Sequence, residues 1–513
     1  MYSSIMSGAL RGLDSYLVNV EVDISSGMPT FDMVGFLGSE VREARERVRT
    51  ALGNSGISIP AKHITVNLSP ANIRKQGAAF DLPIAVAILQ AMELLQQTDL
   101  KQTLIIGELG LDGRVNAVNG VLPIVIGAAE NGFRRCIVPK DNAGEGAVID
   151  GVEVIGVTSL TETFDYLRGI KTIAPECFGL PASDENDRRL QQYDFMDIQG
   201  QTAAKRGLEV AAAGFHNVLM IGPPGAGKTM LSKCMPSILP SMSMEECLEV
   251  SKIYSVSGML HREEGLITKR PFVAPHHTIT DKALAGCGNV PRPGGISMAH
   301  RGILFMDELP EFKRTTLEIL RQPMEDREIR ITRSHGTYTY PADFLLISAM
   351  NPCPCGSYPD LNRCTCAEPE VHRYLSKLSR PLLDRIDICL DIPKVVYKEL
   401  SSPSGSESSA VIRERVCRAR DRQAERYRGT SFRFNADLGV RELKQYCELG
   451  RKEQQLMESV FERLNLSARS YHRMIKVART IADLDGMQPI SERHLSEAIR
   501  YKGLDVMKYE RRS

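Results

Sequence analysis

The stretch HNVLMIGPPGAGKTMLSKCM, residues 216–235, constrains this chain more than any other. "NVLMI" is a short apolar run of the kind that forms a buried strand. "TMLSKCM" opens a helix. Between them GPPGAGKT fits G-x-x-x-x-G-K-[ST], and a strand, a glycine loop and a helix in that order call for an α/β fold. Gly222, Gly225 and Gly227, with Pro223, Pro224 and Ala226 between them, let the backbone curl until its N–H groups face one point. Such a cradle suits phosphate oxygens. Lys228 adds a point charge for β- and γ-phosphates, and Thr229 a hydroxyl for Mg²⁺. ATP and Mg²⁺ are the cofactors this pattern implies.

A phosphate loop needs a carboxylate partner, and GILFMDELPEF supplies one. An apolar strand ends there in Asp307 and Glu308. Asp307 is placed to hold Mg²⁺ and Glu308 to polarise an attacking water as general base. The next apolar run, FLLISAM, ends at Asn351. In NTPases with an additional strand a polar residue at this tip helps place the water; a turn-forming Asn before Pro352 is the plainer alternative. SRPLLDRIDICLDI sets Arg385 between a helix-like stretch and a strand, from which an arginine can reach a neighbouring subunit's nucleotide. LSARSYHRMIKVARTIADL offers Arg469 and Arg473 as lid arginines for the γ-phosphate. A surface salt bridge is the alternative for each.

Directly after Asn351 comes NPCPCGSYPDLNRCTC, which holds four of the twelve cysteines. Cys353, Cys355, Cys364 and Cys366 form two Cys-x-Cys pairs that can close a loop around one tetrahedral Zn²⁺. His372 lies close by in sequence but is not needed as a ligand. Free or redox-active thiols are the other reading. The remaining eight cysteines are scattered, as reduced thiols usually are.

The 513 residues allow two to four domains. Three regions emerge. Residues 1–170 mix β-type runs with helical patterns, as in an α/β domain. Residues 171–195 are rich in Pro, Asp and Asn and read as a linker. Residues 196–394 form a second α/β region, 395–410 a Ser-rich loop, and 411–513 a helical lid. The start lacks a basic segment followed by an apolar one, and the longest apolar stretch, LPIAVAILQAMELL, is too short to span a bilayer, so a cytoplasmic protein without membrane contact is expected. The net charge of +1 gives no bulk sign of nucleic-acid binding. Such a function needs a local basic surface. REIRITRSHGTYTYP, two β-type runs around SHG, reads as a hairpin with Arg333 and His335 at its tip and Arg330 nearby.

The ordered set DIQGQTAAKRGLEVAAAGFHNVLMIGPPGAGKT, RPFVAPHHTIT, GGISMAHRGILFMDELPEF, NPCPCG and LSRPLLDRIDI resembles the magnesium-chelatase-like AAA+ ATPases of the YifB/ComM type over essentially the whole chain. The resemblance implies a P-loop AAA+ module with a helical lid that assembles as a ring, a homo-hexamer. It makes Arg385 the arginine finger in trans and Arg469 the sensor-2 residue, with Arg473 the competitor. It sets Ile198 and Gln201 beside the adenine. It turns the hairpin into a pre-sensor hairpin facing the ring pore, where Arg330, Arg333 and His335 would touch DNA. His276 and His277 fall in a further inserted loop. A hydrogen-bonded role suits them better than metal binding. The first region resembles the C-terminal domain of Lon proteases and of RadA, through ITVNLSPANIRKQGAAFDLPIAVAIL and LGLDGRVNAVNGVLPIVIGAAENGFRRCIVPKDN. Lon-type peptidases need a serine activated by a lysine. QGAAFDLP has no serine, and the lysine position falls near Leu122, so the domain is expected to be proteolytically inactive. By family, the function implied is a DNA motor promoting branch migration of recombination intermediates, including those of natural transformation. A protein-remodelling ATPase and a metal-chelatase motor subunit are the rivals.

Overall fold

A computed structural model describes residues 1–95, 100–179, 193–260, 265–288, 291–333, 336–360, 362–395, 407–464 and 466–502. His335 lies outside the described residues, as do most of the expected linker and of the Ser-rich loop. Among the described residues no helix is long and apolar enough to cross a membrane.

The chain begins with a long antiparallel hairpin, β1 (Tyr2–Arg11) and β2 (Asp14–Ser25). LVNVEVDI in β2 alternates, and Val18, Val20, Val22 and Ile24 are buried against helices Ser39–Asn54 and Asp81–Ala91. β3 (Thr30–Val34), β4 (His63–Ser69) and β5 (Thr103–Ile105) follow, then a small ribbon of β6 (Glu108–Leu109) and β7 (Val115–Asn116), then β8 (Arg135–Pro139) and β9 (Glu153–Val157). They make a mixed seven-stranded sheet in the order β3-β4-β2-β1-β5-β8-β9. β5 and most of β8 are buried on both faces, whereas β2 and β4 alternate. Ile105 and Ile137 join the first pair of helices; Leu104, Cys136 and Val138 pack on helix Val121–Glu130. The apolar run from Asp81 yields a helix only to Ala91, and Glu93 beyond it takes a left-handed backbone (φ 62°). Leu122, where a Lon-type lysine would stand, is buried in the first turn of helix Val121–Glu130.

The second sheet is all parallel. Its strands are β10 (Val218–Ile221), β11 (Phe272–Val273), β14 (Ile303–Met306), β17 (Leu345–Met350) and β18 (Ile388–Asp391), in the order β11-β14-β17-β10-β18. The strand that ends at Asn351 thus lies between the phosphate-loop strand and the Asp-Glu strand, which defines the additional-strand arrangement. Two ribbons stand off this sheet: β12 (Gly286–Cys287) with β13 (Arg292–Pro293), and β15 (Glu328–Arg333) with β16 (Gly336–Pro341). Strand residues alternate between two cores. Val218, Met220, Ile303, Ile347 and Ile388 face helices Thr202–Gly214 and Lys228–Ile238 and the helical region; Leu219, Leu304, Leu346 and Cys389 face the β15–β16 hairpin and the cysteine loop. The lid helices Ser409–Arg426 and Ala468–Leu484 therefore share a core with one face of the sheet.

The two sheets meet through side chains as well as sequence. The Gly120 N–H donates to the Ser255 carbonyl (3.0 Å), and Ser255 Oγ donates to the buried Glu145 carboxylate (2.5 Å). Gly12, at the β1–β2 turn, abuts Tyr338 of the β15–β16 hairpin.

Candidate active site

Parallel strands put all their C-terminal ends on one edge, and the expected phosphate site forms there. β10 leads into Gly222, where a Cβ would lie 2.2 Å from the Ile392 carbonyl oxygen; no larger residue fits. Gly225 and Gly227 take φ of 75° and 90°, and Gly227 precedes helix Lys228–Ile238. The first-turn N–H groups of that helix point back at the loop. Lys228 is buried; its Nζ donates to the carbonyls of Gly222 (2.6 Å) and Pro223 (3.0 Å) and to Asn351 Oδ1 (3.1 Å). Burial lowers its pKa, opposed by the charges of Asp307 and Glu308.

β14 and β17 deliver the other groups to the same edge. Thr229 Oγ1 donates to Asp307 Oδ2 (2.8 Å), so the two expected Mg²⁺ ligands already converge. Their hard oxygen donors suit Mg²⁺. The other Asp307 oxygen accepts the Glu308 N–H (2.9 Å). Glu308 sits in the left-handed region (φ 52°), a conformation that costs a non-glycine residue about 1–2 kcal/mol. Its side chain is exposed and its Oε2 lies 3.5 Å from His277 Nδ1. Gln201 flanks the loop from the other side: its Nε2 donates to the carbonyls of Pro393 (2.6 Å) and Ala226 (3.5 Å). Ile198 is buried behind it.

The cysteines gather beside this edge. Cys353, Cys355, Cys364 and Cys366 offer sulfurs that all lie within 4.8 Å of one another. Three pairs are at 3.4, 3.8 and 3.6 Å. Four thiolates at about 2.3 Å from a tetrahedral Zn²⁺ would be about 3.8 Å apart, so the set fits the ion. Backbone hydrogen bonds from Ser357 and Thr365 hold the Cys355 thiol down at about 5, whereas desolvation pushes Cys366 up to about 12. The loop packs on the phosphate loop itself: a Cβ on Gly356 would meet the Pro224 ring at 2.3 Å. His372 is not in the sulfur cluster.

The arginines lie on the opposite edge. Arg385 precedes β18 and is buried, with its guanidinium on Glu325 Oε1 (2.5 Å) and the Pro381 carbonyl (2.7 Å). Asp387, just before β18, accepts the Asn217 N–H at the start of β10 (3.1 Å) and pairs with Arg473 (3.4 Å). Burial pushes its carboxyl up, but Arg473 and His216 more than offset this and hold it well below the usual carboxylate range. Arg385 and Arg473 line one cleft of about 740 Å³, which also takes in Leu13 and Asp14 of the first sheet. Arg469, one turn earlier on the same helix, is exposed. The structure brings none of the three to its own chain's phosphate loop.

The hairpin forms at the expected place, with Arg333 opposite Gly336. Arg330 is exposed and paired with Glu328; Arg333 is exposed and donates to the Gly288 carbonyl (3.4 Å) of the β12–β13 ribbon. That contact and the His277–Glu308 pair were not foreseen from sequence, since each joins segments far apart in the chain.

The strand order, the phosphate loop and the Asp-Glu pair at adjacent strand tips define an additional-strand P-loop ATPase of the AAA+ class. Three family descriptions match: "Magnesium chelatase, subunit ChlI" over residues 194–400, "Subunit ChlI of Mg-chelatase" over 20–142, and "Magnesium chelatase, subunit ChlI C-terminal" over 406–502. The chain is 40% identical to competence protein ComM of Haemophilus influenzae, covering 98% of this chain and 97% of that protein. It is 42% identical to the uncharacterized protein YifB of Escherichia coli, again covering 98% and 97%. Lon protease 2 of Bacillus subtilis is 23% identical over 36% of this chain and 37% of its own. The chain belongs to the magnesium-chelatase-like AAA+ ATPases of the ComM and YifB type.

Proposed function

We propose that this ATPase works as a homo-hexameric ring that moves on DNA, promoting branch migration of recombination intermediates such as those formed in natural transformation. One observation carries the motor reading. The β15–β16 hairpin, with exposed Arg330 and Arg333, runs directly into β17, whose far tip presents Asn351 to Lys228. Phosphates held at the hairpin and phosphates held at the nucleotide would thus pull on two ends of one strand. The name of the ComM relative, a competence protein, supports DNA as the substrate.

In the proposed cycle Thr229 and Asp307 would hold Mg²⁺, which when bound would supply charge neutralisation at the β- and γ-phosphates. Lys228 turns from its carbonyl partners to the phosphates. Asn351 orients the water and Glu308 accepts its proton. Arg385 of a neighbouring subunit meets the charge that develops on the γ-phosphate, and Arg473, in the same cleft, takes the lid-arginine role in preference to Arg469. Two half-sites at opposite edges of one sheet are what a closed ring of like subunits requires. Cys353, Cys355, Cys364 and Cys366 would hold a structural Zn²⁺, which would fix the loop on which Gly356 abuts Pro224. Reduced thiols of this kind suit a cytoplasmic location. The first domain serves as a platform for assembly or DNA, without peptidase chemistry.

The test is ATP hydrolysis with no DNA, single strands, duplex and a four-way junction, with Glu308→Gln as control. Stimulation by single-stranded or branched DNA, lost in the variant, is the expected result, and movement of a labelled junction should follow. Hydrolysis indifferent to every DNA but raised by unfolded protein would replace this reading with protein remodelling.

A further inference from the structure

We propose that the first domain transmits movement of the β15–β16 hairpin to the arginine cleft through its β1–β2 turn. This rests on the reading of the hairpin as the element that touches DNA and of Arg385 as an arginine used by a neighbouring subunit. The turn lies where these parts meet. A Cβ on Gly12 would lie 3.8 Å from the Tyr338 ring of the hairpin. Leu13 is half-buried and joins the apolar cluster that holds Ile329 and Ile331 of β15. Leu13 and Asp14 both line the cleft of Arg385 and Arg473. Tyr16 Oη donates to the Arg74 carbonyl (3.4 Å), which ties the base of the turn to its own domain. Burial, with Tyr338 nearby, pushes that hydroxyl up to about 12. Helix Arg321–Asp326 joins the same parts from the ATPase side, since it leads through Arg327 into β15. Its Met324 shares both the cluster and the cleft with Leu13, and its Glu325 holds Arg385 at 2.5 Å. A pull on the hairpin would drag this helix past Leu13, and with it the partner of Arg385.

A transmission needs a stiff arm and a fixed point. The arm is the β1–β2 hairpin, paired without a break from Tyr2 opposite Asp23 to Arg11 opposite Asp14, and buried along Val18, Val20 and Val22. The fixed point is the second joint between the domains. Where helix Val121–Glu130 begins, the Leu122 N–H donates to Glu145 Oε2 (3.3 Å), and Asn142 Nδ2 donates to Oε1 (2.7 Å). Ser255 Oγ, from the last turn of helix Met244–Ser257 of the ATPase module, donates to the same carboxylate. Three donors on one buried carboxylate give the joint a definite geometry. The contact is close: a Cβ on Gly258 would meet Asn119 Oδ1 at 2.7 Å. Helix Met244–Ser257 runs from this joint to the cleft, where its Glu249 pairs with Arg301 at 2.8 Å. The first domain thus holds a wall of the cleft at one end and the root of the hairpin at the other.

The experiment measures DNA-free hydrolysis, DNA-stimulated hydrolysis and affinity for labelled single-stranded DNA in the full-length wild type, Leu13→Ala and Leu13→Met. Leu13→Ala should leave the DNA-free kcat and the DNA affinity near wild type. Its stimulation by DNA should fall about fivefold or more, the low end of a coupling between distant sites. Leu13→Met, which keeps the volume of the side chain, should retain most of the stimulation. Undiminished stimulation in Leu13→Ala would overturn the transmission and leave the DNA reading standing. A DNA affinity that falls in step with the stimulation would also overturn it, because the turn would then only brace the hairpin. Wild-type hydrolysis indifferent to DNA would overturn the DNA reading itself, and the transmission with it.

Discussion

The two edges of the ATPase sheet are built for opposite purposes. At the C-terminal edge Lys228, Thr229, Asp307 and Asn351 converge on a glycine cradle, bonded to one another and open to a ligand. At the N-terminal edge Arg385 and Arg473 are already matched to Glu325 and Asp387 in a cleft. One edge gathers the phosphate-loop groups; the other holds the arginines that the proposed cycle would draw on. A single subunit carries both halves and can join neither to the other. On the proposed reading catalysis is a property of the assembly.

Damaging one edge at a time separates the two roles. Lys228→Ala should abolish nucleotide binding and hydrolysis. Arg385→Ala should bind nucleotide normally yet lose about a thousandfold in kcat, the scale of an arginine finger. Mixing the two variants should restore part of the activity, because an intact cradle can then sit against an intact cleft. No recovery in preparations shown to form mixed rings would place Arg385 in some other role.

The cysteine loop bears on the cradle edge alone, through the contact of Gly356 with Pro224. Purified protein should hold one zinc per chain by elemental analysis. Stripping it with a chelator, or making Cys364→Ser, should free the loop that abuts Pro224 and misplace the cradle. Hydrolysis should fall by about a hundredfold, as displacements near 1 Å can do, while the arginine cleft keeps its structure. Full activity in verified zinc-free protein would show that the thiols brace nothing.

Legibility followed chain distance. The phosphate loop and the Asp-Glu pair could be read because each lies within a few residues of its own strand. The cysteine cluster could be read because four like ligands crowd sixteen residues. The α/β character of both regions followed from apolar runs, although the helix from Asp81 stops earlier than its run does. Lid arginines were another matter. Arg469 and Arg473 share a helix face, and motif spacing cannot tell which meets Asp387, 86 residues upstream of Arg473. Nor does a periodicity reveal that the lid packs so as to present Arg473 at the far edge of the sheet. That placement yields a third test: Arg473→Ala should lower kcat by about 10- to 100-fold, the worth of a charge-assisted hydrogen bond, and Arg469→Ala by less. The reverse order would return the sensor role to Arg469.

The smallest effect concerns how firmly the cleft stores its arginine. In the proposed cycle Arg385 leaves Glu325 to reach a neighbour's phosphate, so the pair would oppose the reaction in which the arginine is used. Glu325 is half exposed, and such a pair is worth at most about 1 kcal/mol. Glu325→Gln should therefore raise hydrolysis by no more than about fivefold, and the gain should shrink at high salt, where the wild-type pair is already screened. The Pro381 carbonyl would still hold the guanidinium near its place. A fall in rate would mean the opposite: that Glu325 aims Arg385 at the neighbouring site, and that the cleft is a finished half of the catalytic centre awaiting only its partner.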